Sequence, residues 1–527
     1  MVHFPHPSLL AFRPTMLFPT SEAETMDSRH SPPPGPAPAL APNAGIENAG
    51  IENADVEPAE GEPAEGGNRA GRIEVRGIDR IPDAERHGRP RDLFWVWFAA
   101  NITYLYFLLG GFVLLMGLNL WQSIAVVVAG NLYWVGVGTL AVSGPASGTP
   151  GVVVTRAMFG IRGNRPLSAG IGWLIAVAYE AVNLALGALA GFALAAHLGL
   201  SVSTPVKVAI LLVIAAATFV ISVYGHATIV RVSPWFTALL AAAMVLLAVF
   251  VVGHTRTDYA PPQPLHGTSL LTALCLGVAL IAAVPLSWAN GADYARYLPA
   301  ATSKRDVLLS TALGAFVPAV LLGVLGVLAG TSIDMSDPQA NLAAIVPGWF
   351  YPVFLFVVVF SSLTNNVLTA YSSGLCLQSV GMRAGRSRTV LIDAALSIAI
   401  AGYALFVSDF IDSLNNILAV TVVILAPSMA LYVCDIVLRR NRYDGVALHD
   451  ETPTGRYWYR AGFNIAGTLA FALGAVASLL CVNTTVYQGP LSLAMGGADL
   501  SFLSGPLVTA AVYAVMWRRS ERGADRG

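Results

Sequence analysis

The chain has 527 residues, of which 55% are hydrophobic and only 12% charged, with a formal net charge of −1. Ordinary globular chains carry about 25% charged residues, so most of this one is not built to face water. The small net charge hides an asymmetry, acids clustering in the first 90 residues and bases following, and no large nucleic-acid-binding surface is implied.

Residues 1–90 are rich in Pro, Ala, Gly and Glu, with PPPGPAPALAP from Pro32 and a small repeat, NAGIENAGIENA, from Asn43. Such a segment cannot bury enough apolar surface to offset its chain entropy. It reads as a disordered cytoplasmic tail without the basic, apolar and cleavage regions of a signal peptide. Order is expected from about Ile81, just ahead of Arg86, Arg89 and Arg91.

Residues 91–519 read as an all-α polytopic membrane domain. Crossing a bilayer core takes roughly 20 helical residues, and about twelve runs are apolar enough to do so. Numbered as spans 1 to 12, they are 93–117, 121–143, 167–195, 206–224, 234–253, 270–291, 309–330, 349–378, 388–407, 413–437, 461–480 and 500–517. Alternate loops carry the basic residues. One set holds Arg156, Arg162 and Arg165; Arg231; Arg296, Lys304 and Arg305; Arg383, Arg386 and Arg388; then Arg439, Arg440, Arg442, Arg456 and Arg460. The opposite set holds little beyond Arg256. Cytoplasmic loops keep positive charge, so this alternation predicts a multi-pass protein of the cell membrane. Both termini, including a short tail at 520–527, are then cytoplasmic.

Helix breakers recur inside the apolar runs. Span 1 has Gly110 and Gly111, with Asn101 and Thr103 upstream. Span 6 has Pro285, then Asn290 and Gly291. Broken helices are tolerated in lipid only where they line a cavity or protein. Matched interruptions five spans apart predict an inverted repeat with a binding site at the breaks. The expected core is five plus five spans, about 93–253 and 270–437, with spans 11 and 12 (about 461–517) added. The four cysteines lie in apolar runs without metal-ligand spacing, so no metal or other cofactor is expected. There is no P-loop motif for ATP and no histidine cluster for a membrane enzyme. Matched breaks argue against a channel.

Four stretches carry a resemblance. They are ERHGRPRDLFWVWFAAN from Glu85, TRAMFGIRGNR from Thr155, SWANGADYARYLP from Ser287 and TNNVLTAYS from Thr364. Together they resemble the purine–cytosine permeases of the nucleobase–cation symporter-1 family, over roughly residues 73–515. The resemblance implies a LeuT-type fold whose substrate lies between broken spans 1 and 6 and straight spans 3 and 8. It implies a small, nucleobase-like substrate and a coupling cation as partners, within a lipid bilayer.

Carried over residue by residue, the family's span-3 aromatic and amide fall on Tyr179 and Asn183. Positions i and i+4 share a helical face, and ring plus amide suits a planar heterocycle. The span-8 amide, six residues before a tyrosine, falls on Asn365, followed by Asn366. Asn101 at span 1 and Ser287 and Trp288 at the span-6 break complete the expected substrate set. The family's span-6 stacking residue falls near Val284, which is not aromatic, leaving Trp288 as the nearest ring. Helix packing and interhelical glue are the alternative roles for Tyr179 and the asparagines.

Glu180, beside Tyr179, is the carboxylate expected at the bilayer centre and close to the substrate; Asp293, Asp393 and Asp435 fall at span ends, where water or loops can reach them. An intramembrane carboxylate is a functional candidate by default, here for proton coupling; a permanently neutral, hydrogen-bonded acid is the alternative. Sodium-coupled relatives place two hydroxyls five and six residues before the span-8 asparagine. From Asn365 those positions are Phe360 and Val359, which offer no oxygen. Ser361 and Ser362 point about 100° and 200° further round an ideal helix. Protons are therefore expected over sodium as the coupling ion for an imported nucleobase such as cytosine or a purine. A sodium-coupled importer of a hydantoin- or allantoin-like ring is the alternative.

Overall fold

A computed structural model describes residues 77–223, 226–382 and 386–524. The expected disorder of residues 1–76 lies outside the described residues. Of the segment put in the tail, 77–89 is ordered: order is expected from about Ile81 and is present from Gly77. Ile81 N donates to Gly148 O (2.8 Å), His87 N to Tyr297 O (2.7 Å) and Arg86 Nη1 to Pro145 O (2.9 Å). Composition places the boundary too late because these ties are made to distant residues.

Among the described residues the regular structure is helical. Nine helices are long and apolar enough to cross a membrane: Leu120–Ser147, Ile161–His197, Thr204–Ser222, Ser233–His254, Gly267–Ala295, Lys304–Gly330, Phe350–Val380, Arg388–Phe406 and Phe410–Leu438. The bent pair Pro90–Asn101 and Tyr104–Leu115 makes a tenth span. These are spans 1 to 10, with the bent pair as span 1. A shorter apolar helix, Ile465–Cys481, and Ser501–Ala524 follow at spans 11 and 12.

The packing repeats itself. Span 1 packs on spans 5 and 7, and span 6 packs on spans 10 and 2. Span 3 packs on spans 4 and 9, and span 8 on spans 9 and 4. Exchanging each of spans 1 to 5 with the span five further on (1 with 6, 2 with 7, 3 with 8, 4 with 9, 5 with 10) turns one set into the other, as an internal five-plus-five repeat requires. Spans 3 and 8 lie against each other at the centre of this arrangement.

Both expected interruptions occur: span 6 breaks at the expected residues, 288–291, and span 1 breaks at 101–103 rather than at Gly110 and Gly111. Span 1 opens with Pro90 at its first position, Asp92 accepting from Arg89 N (2.8 Å), a favourable helix start. It stops at Asn101. Ile102 leaves the helical region, Thr103 is extended, and the Thr103 hydroxyl caps Leu105 N across a 59° bend. The cause is a β-branched pair beside a capping threonine. Span 6 ends at Ser287, two residues beyond Pro285, and resumes at Ala292. A proline removes one donor without ending the helix there.

Gly110 and Gly111 are not the break. They sit inside Tyr104–Leu115 and let backbones meet. A Cβ on Gly110 would stand 1.9 Å from Gly323 O, and one on Gly326 would stand 1.9 Å from Phe107 O. Spans 1 and 7 thus touch main chain to main chain, the small-residue packing that membranes favour.

Gly326→Ala should cost about 1–3 kcal/mol through overpacking and lower the thermal midpoint of the detergent-solubilised protein. Gly348→Ala, whose added Cβ meets nothing within 4 Å, should not. Equal midpoints for wild type and Gly326→Ala would refute the close approach of spans 1 and 7.

Candidate functional site

The cavity lies where the geometry of breaks and straight spans converges. Tyr179 of span 3, Ser287, Trp288 and Asn290 of the span-6 break, and Asn365 of span 8 line it. Its volume is about 70 Å³. From this centre it runs along Gly172 of span 3 and Ser372 and Cys376 of span 8 toward the arginine-rich end, where Thr155 and Ser168 complete the wall.

Each polar group is held by a nameable neighbour. The Tyr179 hydroxyl donates to Ala283 O (3.0 Å), tying span 3 to span 6 ahead of its break. Asn183 Nδ2 donates to Tyr179 O (3.0 Å) and to Asn365 Oδ1 (2.8 Å). Asn365 Nδ2 donates to Ala100 O (2.8 Å), just before the break in span 1. One amide chain therefore runs from span 3 through span 8 to the hinge of span 1. The Oδ1 atoms of Asn183 and Asn290 are buried without partners, and of the two residues Asn290 lines the cavity, where a ligand's N–H group can satisfy it. Trp288 is buried and meets Trp97 edge to face at 5.4 Å.

Of the residues singled out from sequence, Tyr179, Ser287, Trp288 and Asn365 come together at the cavity, and Asn183 stands directly behind Asn365. Asn101 does not reach it. Its Nδ2 donates to Trp97 O (2.8 Å) and its Oδ1 accepts from the Tyr106 hydroxyl (2.9 Å), so it splints the break. Asn366 faces span 3, where Nδ2 donates to Glu180 O (3.0 Å). Glu180 is fully buried but turned away from the cavity, toward span 9. A side chain one residue after Tyr179 points about 100° further round the helix, so the two do not share the site.

The expectation that the other acids are solvated at span ends is corrected by burial. Asp293, Asp393 and Asp435 are at most 1% exposed. Asp293 accepts Gly151 N (2.8 Å), Asp393 accepts Trp173 Nε1 (2.6 Å), and Asp435 is paired with Arg439 (2.8 Å) and the hydroxyls of Tyr443 and Tyr513. Protein donors, distant for Asp293 and Asp393 and both local and distant for Asp435, take the place of water. The arginines of the arginine-rich loops are likewise structural. Arg156 is buried and bridges to Glu451 (3.0 Å); burial lowers its guanidinium from the usual value, and Glu451 works the other way. Arg296 is buried, its Nη2 donating to the Tyr371 hydroxyl (2.9 Å) and Nη1 to Gly77 O (2.7 Å).

The sequence reading missed Asp293, Trp97 and the inner wall at Thr155 and Ser168. Asp293 and Trp97 lie within the quoted motifs, six and four residues from chosen positions, and their types alone were a usable signal. Thr155 and Ser168 carry none, since they reach the cavity only through the fold of the connection between spans 2 and 3. The span-8 hydroxyls are turned inward on their own helix. Ser361 and Ser362 both donate to Val358 O (2.9 and 3.0 Å), and Ser362 Cβ lies 3.2 Å from the place of a Cβ on Gly187 of span 3.

Paired broken helices around a central cavity, inside a five-plus-five repeat, define a secondary transporter. The chain belongs to the family described as "Permease for cytosine/purines, uracil, thiamine, allantoin", whose sequence profile matches residues 80–505. YxlA of Bacillus subtilis, assigned by name to the purine-cytosine permeases, is 27% identical over 465 residues, covering 85% of this chain and 96% of that protein. Purine-cytosine permease fcyB of Emericella nidulans is 26% identical, covering 84% and 87%. Among solved structures, Mhp1, a nucleobase-cation-symport-1 family transporter in a closed conformation with bromovinylhydantoin bound, superposes with TM-score 0.66 at 19% identity, covering 84% of this chain and 94% of Mhp1. Its inward-facing form gives 0.64 at 17% identity, covering 86% and 96%. The fold is thus of the LeuT type, and the chain is a small-molecule permease, not an enzyme.

Asn365→Ala should abolish the amide chain and weaken substrate binding at least tenfold, since an unpaired buried polar group costs about 1–3 kcal/mol. Asn183→Ala should weaken it too. Tyr179→Phe loses one hydrogen bond, about 1 kcal/mol, and should be milder than Tyr179→Ala, which also loses the ring. Equilibrium binding of radiolabelled substrate to purified protein checks the series. Wild-type affinity in both asparagine variants would relocate the site.

Proposed function

We propose that the protein imports a nucleobase such as cytosine or a purine, or a closely related planar heterocycle, across the cell membrane together with a proton. The observation that carries this reading is the cavity walled by Tyr179 and Trp288 and floored by the Asn365 amide. Two aromatic side chains and an amide recognise a flat ring with edge donors and acceptors. The names of the relatives agree: purine-cytosine permeases, and a family whose substrates include cytosine and purines.

Two features favour protons over sodium. A hard cation needs oxygen ligands, and the Ala100 carbonyl beside the span-1 break is engaged by an amide donor, Asn365 Nδ2. The serines of span 8 are spent on their own helix and on the span-3 side. Glu180 takes the proton, but from behind span 3 rather than within the cavity. The coupling works if protonation and substrate both favour the same conformations. The arginine-rich end is cytoplasmic, both termini with it, and the twelve-span count follows; the cavity then leads toward the cytoplasm.

Uptake in cells should rise as external pH falls, collapse with a protonophore and ignore replacement of sodium by choline. Competition among labelled cytosine, adenine, hypoxanthine and hydantoin should rank the nucleobases first. Strict sodium dependence without protonophore sensitivity would reject proton coupling, and preference for hydantoin would reject the nucleobase. Reporter fusions after residues 90 and 519 should both report cytoplasm, and an external signal from either would overturn the topology.

A further inference from the structure

The back of span 3 holds a second polar site outside the cavity. Glu180 is 0% exposed, and neither of its carboxyl oxygens has a hydrogen-bond partner. The groups acting on it across the helix interface are the carboxylate of Asp393 and the hydroxyl of Ser397, both on span 9. Asp393 is also 0% exposed. Its Oδ1 accepts Trp173 Nε1 from span 3 at 2.6 Å. Ser397 faces Glu180 but directs its hydrogen to Asp393 O at 2.7 Å, which is why the Glu180 oxygens stay unpartnered.

Among the described residues, the other groups brought to Glu180 by spans 8 and 4 are uncharged. Span 8 brings the Asn366 amide, bonded to Glu180 O, and the thiol of Cys376, on which Asp393 also acts. Span 4 brings Ala215 and Phe219, packed with Ala181 and Leu184 of span 3 in one apolar cluster. An ionised carboxylate with no donor and a like charge opposite is the most costly species such a place can hold. The neutral acid is the cheaper species by the same argument.

We propose that Glu180 and Asp393 form the proton site of this transporter, Glu180 carrying the proton as its neutral acid and Asp393 being the carboxylate that receives it on the way to the cytoplasm. The proposal rests on the proton-coupled reading and adds the site, the second residue and the route. On release, the Ser397 hydroxyl turns from Asp393 O; the O–H bond of Glu180 breaks, Ser397 accepts that proton as it gives its own to an Asp393 carboxylate oxygen, and Glu180 is left as the carboxylate. It then leaves Asp393 for water at the arginine-rich end. Asp393 lies seven residues inside span 9, which starts at Arg386, about 10 Å along the helix. Cys376 lines the substrate cavity and lies within the field of Asp393, so the two routes run on either side of span 8. Substrate and proton thus leave by separate paths, coupled through the helix they share.

Two measurements separate this proposal from the reading it rests on. Infrared difference spectroscopy of the purified full chain at neutral pH should show a protonated-carboxyl carbonyl band that is absent in Glu180→Gln and weaker in Asp393→Asn. A band untouched by Glu180→Gln would overturn the site whatever the coupling ion proves to be. In proteoliposomes under a one-unit pH gradient, one coupled proton supports about tenfold accumulation. Glu180→Gln should reduce that ratio to equilibration. Asp393→Asn should flatten the pH profile of uptake, and Asp393→Glu should restore accumulation with a displaced profile. Wild-type accumulation and pH profiles in Glu180→Gln and Asp393→Asn would sink the proposal while leaving proton coupling intact. Sodium-driven accumulation in the wild type would instead sink proton coupling, and the infrared band would still decide whether Glu180 holds a proton. If Asp393→Asn does not fold, Asp393→Glu alone decides, an unshifted profile counting against the site.

Discussion

A polypeptide inside a bilayer must satisfy its backbone polar groups from within, and the two helix breaks are where this constraint bears hardest. The hydrogen bond from Asn365 Nδ2 to Ala100 O (2.8 Å) answers it for span 1. It covers a carbonyl at the edge of the interruption, and it fixes the hinge of span 1 to span 8. Because Asn365 also accepts from Asn183 (2.8 Å), the hinge is referenced to span 3 as well. The hinge, the cavity and the two straight spans are therefore one hydrogen-bonded unit, and a ligand that competes for Asn365 acts on the hinge directly.

The second break is covered differently. Tyr179 reaches from span 3 to Ala283 O one turn before the break in span 6, and Trp288 at the break packs on Trp97 of span 1. Trp97 in turn meets Trp134 and Tyr294 at 5.6 and 5.5 Å. Large aromatic surfaces bury much area and prefer such edge-to-face contacts. Polar cover at one break and aromatic cover at the other leave the space between them as the cavity.

The inner end is held by ions rather than apolar packing. Arg86, Arg156, Arg296 and Arg439 are buried or nearly so, each bonded to carbonyls, hydroxyls or acids of distant segments. Arginine suits this because its planar fork satisfies several acceptors at once. Segment 77–89 is part of this layer, joined to the ends of spans 2 and 6. The basic residues that mark the inner loops thus also close that end of the molecule.

Hydropathy and charge alternation determined the class of fold, the order of ten long spans and the existence of interruptions in spans 1 and 6, because these follow from the bilayer as solvent and are local in sequence. The motifs around Ser287 and Asn365 and the i, i+4 pair Tyr179 and Asn183 pointed to residues that the fold brings together at one cavity. What escaped was everything set by rotation and reach: that Asn101 splints its own helix, that the Gly110 pair serves packing, that Glu180 looks toward span 9, and that Asp293, Asp393 and Asp435 are buried. Spacing along a helix says which residues share a face but not which neighbour that face meets. Only the docking of spans 3, 8 and 9 decides that, since Trp173 and Asp393 lie 220 residues apart in the chain and 2.6 Å apart in the fold.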